Sequence, residues 1–284
     1  MQQRTVAGEG WGSFAPLRAA AGRTTRGPVR RIRRMGGIAL LAWKCVRALL
    51  TWPSEWRGEL ARSLIRTVRT TLPPIAIAVS AWGFSGPGLQ AGNFLVTFGS
   101  IDRSGGFMVV AIMREFGTFV TATVVAGVAG TMLTAELGTR KIRGELDALG
   151  TLGIDPIKSL VAPRILAFAI AMAALDIAAL FFGVLGGFLA TTFVLGGTDG
   201  AFIASFFANT TLADLIASVV KVSIFGVLIG VISAYHGLVV SGGAEGVGRA
   251  VNRAVVGSLV AIFFVNLVFT QWFLAEFPET AVFR

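Results

Sequence analysis

Four ionisable residues interrupt stretches of this sequence that are otherwise apolar: Arg114 and Glu115 side by side, Asp176, and Lys221. A charge carried into a bilayer is costly, so such residues pair with one another, face a cavity, or relay ions and protons. Asp176 sits about 12 residues, or roughly 18 Å, into its apolar run, and Lys221 about 6 residues into the next. Across a hydrocarbon core about 30 Å thick, entered from opposite faces, these depths nearly coincide, so an Asp176–Lys221 ion pair is expected. The alternatives are a buried pair with no transport role and a Lys221 that snorkels to the interface. Arg114 and Glu115 head the second apolar run, where they either fix a junction or line an outer cavity.

Other chemistry is absent. No G-x-x-x-x-G-K-[ST] occurs, so the chain has no P-loop of its own with which to cradle nucleotide phosphates. The single His236 rules out H-E-x-x-H and any His-rich metal site, and the single Cys45 rules out an intramolecular disulfide. Gly83-Phe84-Ser85-Gly86-Pro87 approaches a nucleophile elbow but ends in proline and follows no strand. No catalytic residue, metal or bound cofactor is therefore expected.

The elements that position these residues follow from composition. Of 284 residues, 54% are hydrophobic and 14% charged, with a mean hydropathy of +0.75, which marks an integral membrane protein. The basic balance is confined to residues 1–71, with fourteen Lys/Arg against three Asp/Glu. Such a segment can bind nucleic acid, but attached to spans it reads more simply as a cytoplasmic, headgroup-facing part. Residues 1–35 lack periodicity and read as a disordered tail. No cleavable signal peptide is legible. Residues 36–71 read as interfacial helices: Trp56, Leu60, Leu64 and Val68 recur on one face and Arg62, Arg66 and Arg69 on another, with Trp43, Trp52 and Trp56 as an aromatic belt. A soluble amphipathic helix packed on a partner has the same periodicity.

Five spans follow, near 72–101, 116–135, 164–194, 215–240 and 254–275, with residues 104–113 as a half-helix near the outer face. Loops 136–163 and 241–253 carry Arg140, Lys141, Arg143, Lys158, Arg249 and Arg253, whereas 195–214 carries only Asp199 and Asp214. The N-terminus is therefore expected in the cytoplasm and the C-terminus outside. Small residues at four-residue steps, such as Gly183 with Gly187 and Gly226 with Gly230, allow close helix packing.

Charge concentrates after the second span. Ile142, Leu146 and Leu149 share one helical face, and Glu136 with Arg140, Lys141 with Glu145, and Arg143 with Asp147 form i, i+4 pairs. An amphipathic helix over about 136–149 results, ended by Gly150 and Gly153, with Asp155-Pro156 starting the next. A chain without a P-loop that offers such a helix can dock a separate ATPase on it; a plain solvated loop is the alternative.

Several motifs in order resemble the MlaE/YrbE permease family: Arg114-Glu115-Phe116-Gly117, Thr134-Ala135-Glu136-Leu137-Gly138, Glu145-Leu146-Asp147-Ala148-Leu149, Gly153-Ile154-Asp155-Pro156, Pro163-Arg164, Tyr235-His236-Gly237, and Gly246-Val247-Gly248-Arg249-Ala250-Val251. The resemblance covers about residues 36–275, and its wording is most similar to the YrbE permeases of actinobacterial Mce systems. It implies an all-α integral membrane permease with an interfacial helix and five spans. It also implies a second permease subunit, identical or not, and a cytoplasmic ABC ATPase dimer carrying ATP and magnesium. MCE-domain proteins outside the membrane complete the implied assembly, which carries lipids or fatty acids between the cytoplasmic (inner) membrane and the outer envelope. Spans one, two and five would surround a lipid cavity, for which Phe84, Leu89, Phe94 and Phe98 are candidates, a plain lipid-facing surface being their alternative. Thr118 departs from the family, which often has proline there, and the arginine-rich tail is longer than usual. The rival from another class is a secondary transporter relaying protons or ions through Asp176, Glu115 and Lys221. An intramembrane enzyme acting on lipids is the third reading and lacks a catalytic constellation.

Overall fold

Residues 27–50 and 56–277 are described by the structure, a computed structural model, and every regular element among them is a helix. The expected tail therefore lies largely outside the described residues, as does Trp52. Helix α1 (Gly27–Leu50) starts nine residues before Gly36, the expected boundary. Helix α2 (Trp56–Gly83) carries Pro73 and Pro74 inside it and continues through a π-helical stretch, Phe84–Ala91, into α3 (Gly92–Thr97). Its first half has the expected faces: Trp56 is buried, Leu60, Leu64 and Val68 are half-buried, and Arg62, Arg66 and Arg69 are exposed.

Among the described residues, four apolar helices are long enough to cross a membrane: Ile101–Ile142, Ile157–Val194, Leu212–Leu238 and Gly243–Glu276. The expected first span, 72–101, is not among them. It continues the helix begun at Trp56, and Pro73, Pro74, Ser80, Ser85, Pro87, Gln90 and Asn93 dilute its hydropathy. Nor is the 104–113 segment a separate half-helix. After a 3₁₀ turn at Ile101–Arg103, α4 (Ser104–Met108), a π-helical stretch (Val109–Phe116), α5 (Gly117–Val125), a second π-helical stretch (Ala126–Gly130) and α6 (Thr131–Ile142) run on as one span. Thr118 suits the continuity: it retains the N–H that proline lacks, and its hydroxyl donates to the Glu115 carbonyl at 2.8 Å.

Helix α7 (Glu145–Thr151) precedes α8 (Ala162–Leu189), which is extended by π-helical stretches at Ile157–Val161 and Ala190–Val194. The Asp155 carboxylate accepts from the Ile157 N–H at 2.9 Å, the expected cap. The 195–214 segment, read as a loop, contains helix α9 (Asp199–Asn209). Phe202 of α9 packs with Met108 and Ile112, and Gly106 N–H donates to Ser205 Oγ at 3.0 Å. Helices α10 (Leu212–Leu238) and α11 (Gly243–Glu276) close the chain.

The chain divides into two compact units: one comprises the segment up to Ile65, Ala129–Phe168 and Val227–Ser258, and the other Arg66–Val128, Ala169–Gly226 and the segment from Leu259. In the first, Gly37 of α1 meets Tyr235 of α10 so closely that an added Cβ would stand 2.7 Å from the ring. In the second, α2 and α8 cross at Gly83 and Gly183, where an added Cβ on Gly83 would run into the Gly183 carbonyl oxygen. Small residues thus serve packing within the chain.

Cys45 is buried in the first unit, where burial, then the Asp155 charge, pushes its thiol up to about 12. The folded thiol stays protonated above its ordinary value of 9.0 while the unfolded one ionises, so its contribution to stability falls as pH rises through that window. A water-soluble maleimide is expected to label native Cys45 far more slowly than detergent-denatured chain at pH 8, as followed by mass spectrometry.

Candidate functional site

Consecutive residues on a helix point about 100° apart, so neighbours in sequence reach different partners. Arg114 and Glu115, in the π-helical stretch of the second span, do this. The Arg114 guanidinium forks onto Asp214 of α10, with Nε to Oδ1 at 2.8 Å and a second bond to Oδ2 at 3.3 Å. The two oxygens of Glu115 accept from Asn266 (2.9 Å) and Thr270 (2.7 Å) of α11. Asp214 is fully buried and also closes a capping box. It accepts from the Thr211 N–H (3.1 Å) and hydroxyl (2.8 Å), while its own N–H donates to Thr211 Oγ1 at 3.2 Å.

About one and two turns beyond Asp214, Ser218 and Lys221 of α10 take separate partners. Ser218 Oγ donates to Asp176 Oδ2, and Lys221 Nζ donates to the Arg114 carbonyl. The expected Asp176–Lys221 ion pair is therefore replaced by two polar contacts, because Ser218 lies nearer the carboxylate and the Arg114 carbonyl takes the ammonium. Asp176 is fully buried, and its Oδ1 has no hydrogen-bond partner.

Arg114, Glu115, Asp214, Ser218 and Lys221 line one end of a cavity of about 290 Å³, and Val110, Met113, Phe269, Phe273 and Leu274 line the rest. An ammonium has three donors, and the structure commits one of those of Lys221. The cavity is thus amphipathic, with a charged end and a greasy wall. Among the candidates for lipid contact, Phe84 and Leu89 are half-buried and Phe94 and Phe98 exposed; none lines this cavity.

In the other unit the expected helix over 136–149 is broken. Helix α6 ends at Ile142, Gly144 adopts a left-handed φ of +76°, and α7 starts at Glu145. The break alters the charge pairs. Glu136–Arg140 forms at 3.0 Å as expected, but Lys141 pairs with Asp147 at 2.6 Å instead of Glu145, and Arg143 approaches Glu145 at 3.8 Å instead of Asp147. Leu146 is buried and Leu149 half-buried, anchoring α7, while Ile142, Arg143, Leu152 and Ile154 are exposed.

Three residues, Arg164, Glu59 and Asp214, take roles that their sequence positions do not assign. Arg164 of α8, only 7% exposed, bonds Glu59 of α2 at 2.6 Å and Glu136 of α6 at 2.8 Å. Glu136 Oε1 therefore accepts from Arg164 and Arg140 together and faces inward. No spacing rule links Glu59 to Arg164, 105 residues away. The third residue, Asp214, was legible only as the end of a Thr-x-x-Asp capping box.

Bilayer-length helices around a cavity with one charged end define a multi-pass, all-helical membrane protein of permease type. A family model described as Permease MlaE matches residues 60–272, and the chain belongs to that family. A Rickettsia typhi protein described as a probable ABC transporter permease is 32% identical over 245 residues, covering 86% of this chain and 93% of the relative. A probable ABC transporter permease of Synechocystis is 36% identical over 204 residues (71% and 77%). The intermembrane phospholipid transport system permease protein MlaE of Haemophilus influenzae is 29% identical over 184 residues (64% and 70%).

Proposed function

We propose that this chain is the membrane subunit of an ATP-driven lipid transporter, which moves phospholipids or fatty acids across the cell envelope. ATP and magnesium are carried by a separate cytoplasmic ABC ATPase dimer, a second permease subunit completes the membrane part, and MCE-domain proteins receive or deliver lipid outside. The amphipathic cavity carries this reading: Lys221 supplies a cation for a headgroup, while Phe269, Phe273 and Met113 suit an acyl chain. Family membership and the absence of a P-loop support it. The protein sits in the cytoplasmic membrane with its N-terminus inside.

The ATPase docks on α7 and the edge made by Ile142, Arg143, Leu152 and Ile154, not on a single helix over 136–149. Glu136 acts behind that surface, held by Arg164. Because Arg143 and Leu152 are exposed, the pair Arg143→Glu and Leu152→Asp leaves the fold intact. It is expected to weaken ATPase co-purification roughly 30-fold and to abolish ATP-dependent lipid transfer in reconstituted vesicles. Undiminished assembly and transfer would overturn the docking surface; transfer driven by an ion gradient without ATP would instead favour the proton-relay transporter.

A further inference from the structure

The loop at 241–253 stands out in the sequence for its arginines and for the Gly246–Val251 motif. In the structure, a polar pocket of about 200 Å³ lies between the end of α10 and the start of α11, lined by His236, Ser241, Gly246, Arg249 and Arg253 among others. Every ionisable side chain lining it is basic. His236 is 9% exposed, yet its ring has no hydrogen-bond partner among the described residues, packing instead against the Tyr235 ring at 5.5 Å. Arg253 also forms no hydrogen bond or ion pair there, and it and Arg34 lie close enough to act on His236 through their charge. Arg249 pairs with Glu245, an exposed carboxylate outside the pocket lining. The first turn of α11 adds the positive end of a 34-residue helix.

A nine-tenths buried imidazole without a partner calls for a ligand, and cations around it select an anion. The volume suits a phosphate group and is too small for a nucleotide or a whole lipid. Both walls are bilayer-crossing helices that meet here at a turn, the level at which basic pockets hold lipid headgroups. We propose that this pocket binds the phosphate of an anionic phospholipid, as a site sharing no residue with the amphipathic cavity. The proposal requires that the chain reside in a membrane, not that it move any particular cargo, so its failure would leave the transport reading untouched.

The test uses the full-length chain in detergent, with lipid binding read by native mass spectrometry. Phosphatidylglycerol is expected to bind roughly tenfold more tightly than phosphatidylcholine. Arg253→Gln should lose most of that preference and Arg253→Lys should keep it, both with the melting temperature of the parent chain. An unchanged preference in an Arg249→Gln, Arg253→Gln double variant would overturn the proposal. Inorganic phosphate provides the second arm. If it raises the melting temperature of the parent but not of Arg253→Gln, and no lipid preference is found, the anion site stands and the lipid assignment falls.

Discussion

Replacing Arg114 by alanine is expected to cost about 3–5 kcal/mol of stability, because it strands the Asp214 carboxylate, which is fully buried, with only Thr211 to satisfy it. The loss should appear as earlier thermal unfolding in detergent and a smaller monodisperse fraction. It should be largely recovered in the Arg114→Ala, Asp214→Asn double variant, since asparagine still accepts from Thr211 but carries no charge. A double variant no more stable than the single one would mean that the guanidinium acts by packing, not by neutralising Asp214. The same substitution removes the Arg114–Asp214 link between the second span and α10 beside the cavity, leaving only the Lys221 bond to the residue-114 carbonyl, so under the proposed function lipid transfer should stay low even in the stable double variant. That separates positioning of the cavity from mere folding.

Arg164→Ala is the second large effect, expected at about 3 kcal/mol, the lower end of the range for a broken buried pair. The cost is smaller because both carboxylates keep one partner: Glu59 retains Arg62 at 3.2 Å and Glu136 retains Arg140 at 3.0 Å. Lysine at 164 carries the charge but has no planar fork to serve two carboxylates at once, so Arg164→Lys should recover only part of the loss. If the proposed ATPase contact is correct, Arg164→Ala in the assembled complex should lower transport per ATP hydrolysed, while Arg143→Glu with Leu152→Asp lowers assembly itself. Equal effects on assembly would place Arg164 in the docking surface.

Much of this arrangement was legible in the chain and some was not, for identifiable reasons. Composition and apolar run length suffice for the helical membrane class, since a bilayer leaves few ways to satisfy a backbone. The faces of α2 and the Glu136–Arg140 pair are local, so periodicity finds them. The break at Gly144 had a signal, a glycine directly after Lys141-Ile142-Arg143, the usual end of a helix; the i, i+4 pairs drawn across it concealed that. Helix α9 has only 11 residues and its apolar side is spent on Met108 and Ile112, a long-range contact that no window over 199–209 contains. Run position suggests a shared depth for Asp176 and Lys221, but Ser218 and the Arg114 carbonyl decide which atoms they touch. A carbonyl is invisible to any reading of side-chain types.

Helix α7 has seven residues and sits behind a left-handed glycine. A helix that short is marginal in water by itself, so it borrows its shape from the buried Leu146 and from the Lys141–Asp147 bond. Its folding is thus conditional, and whatever grips Ile142 and Leu152 from outside bears directly on that condition. In the proposed assembly, a soft handle of this kind would convert a pull into local melting before it moved a bilayer-length helix, so the tightness of the Leu146 socket would set how much of the ATPase stroke reaches the membrane.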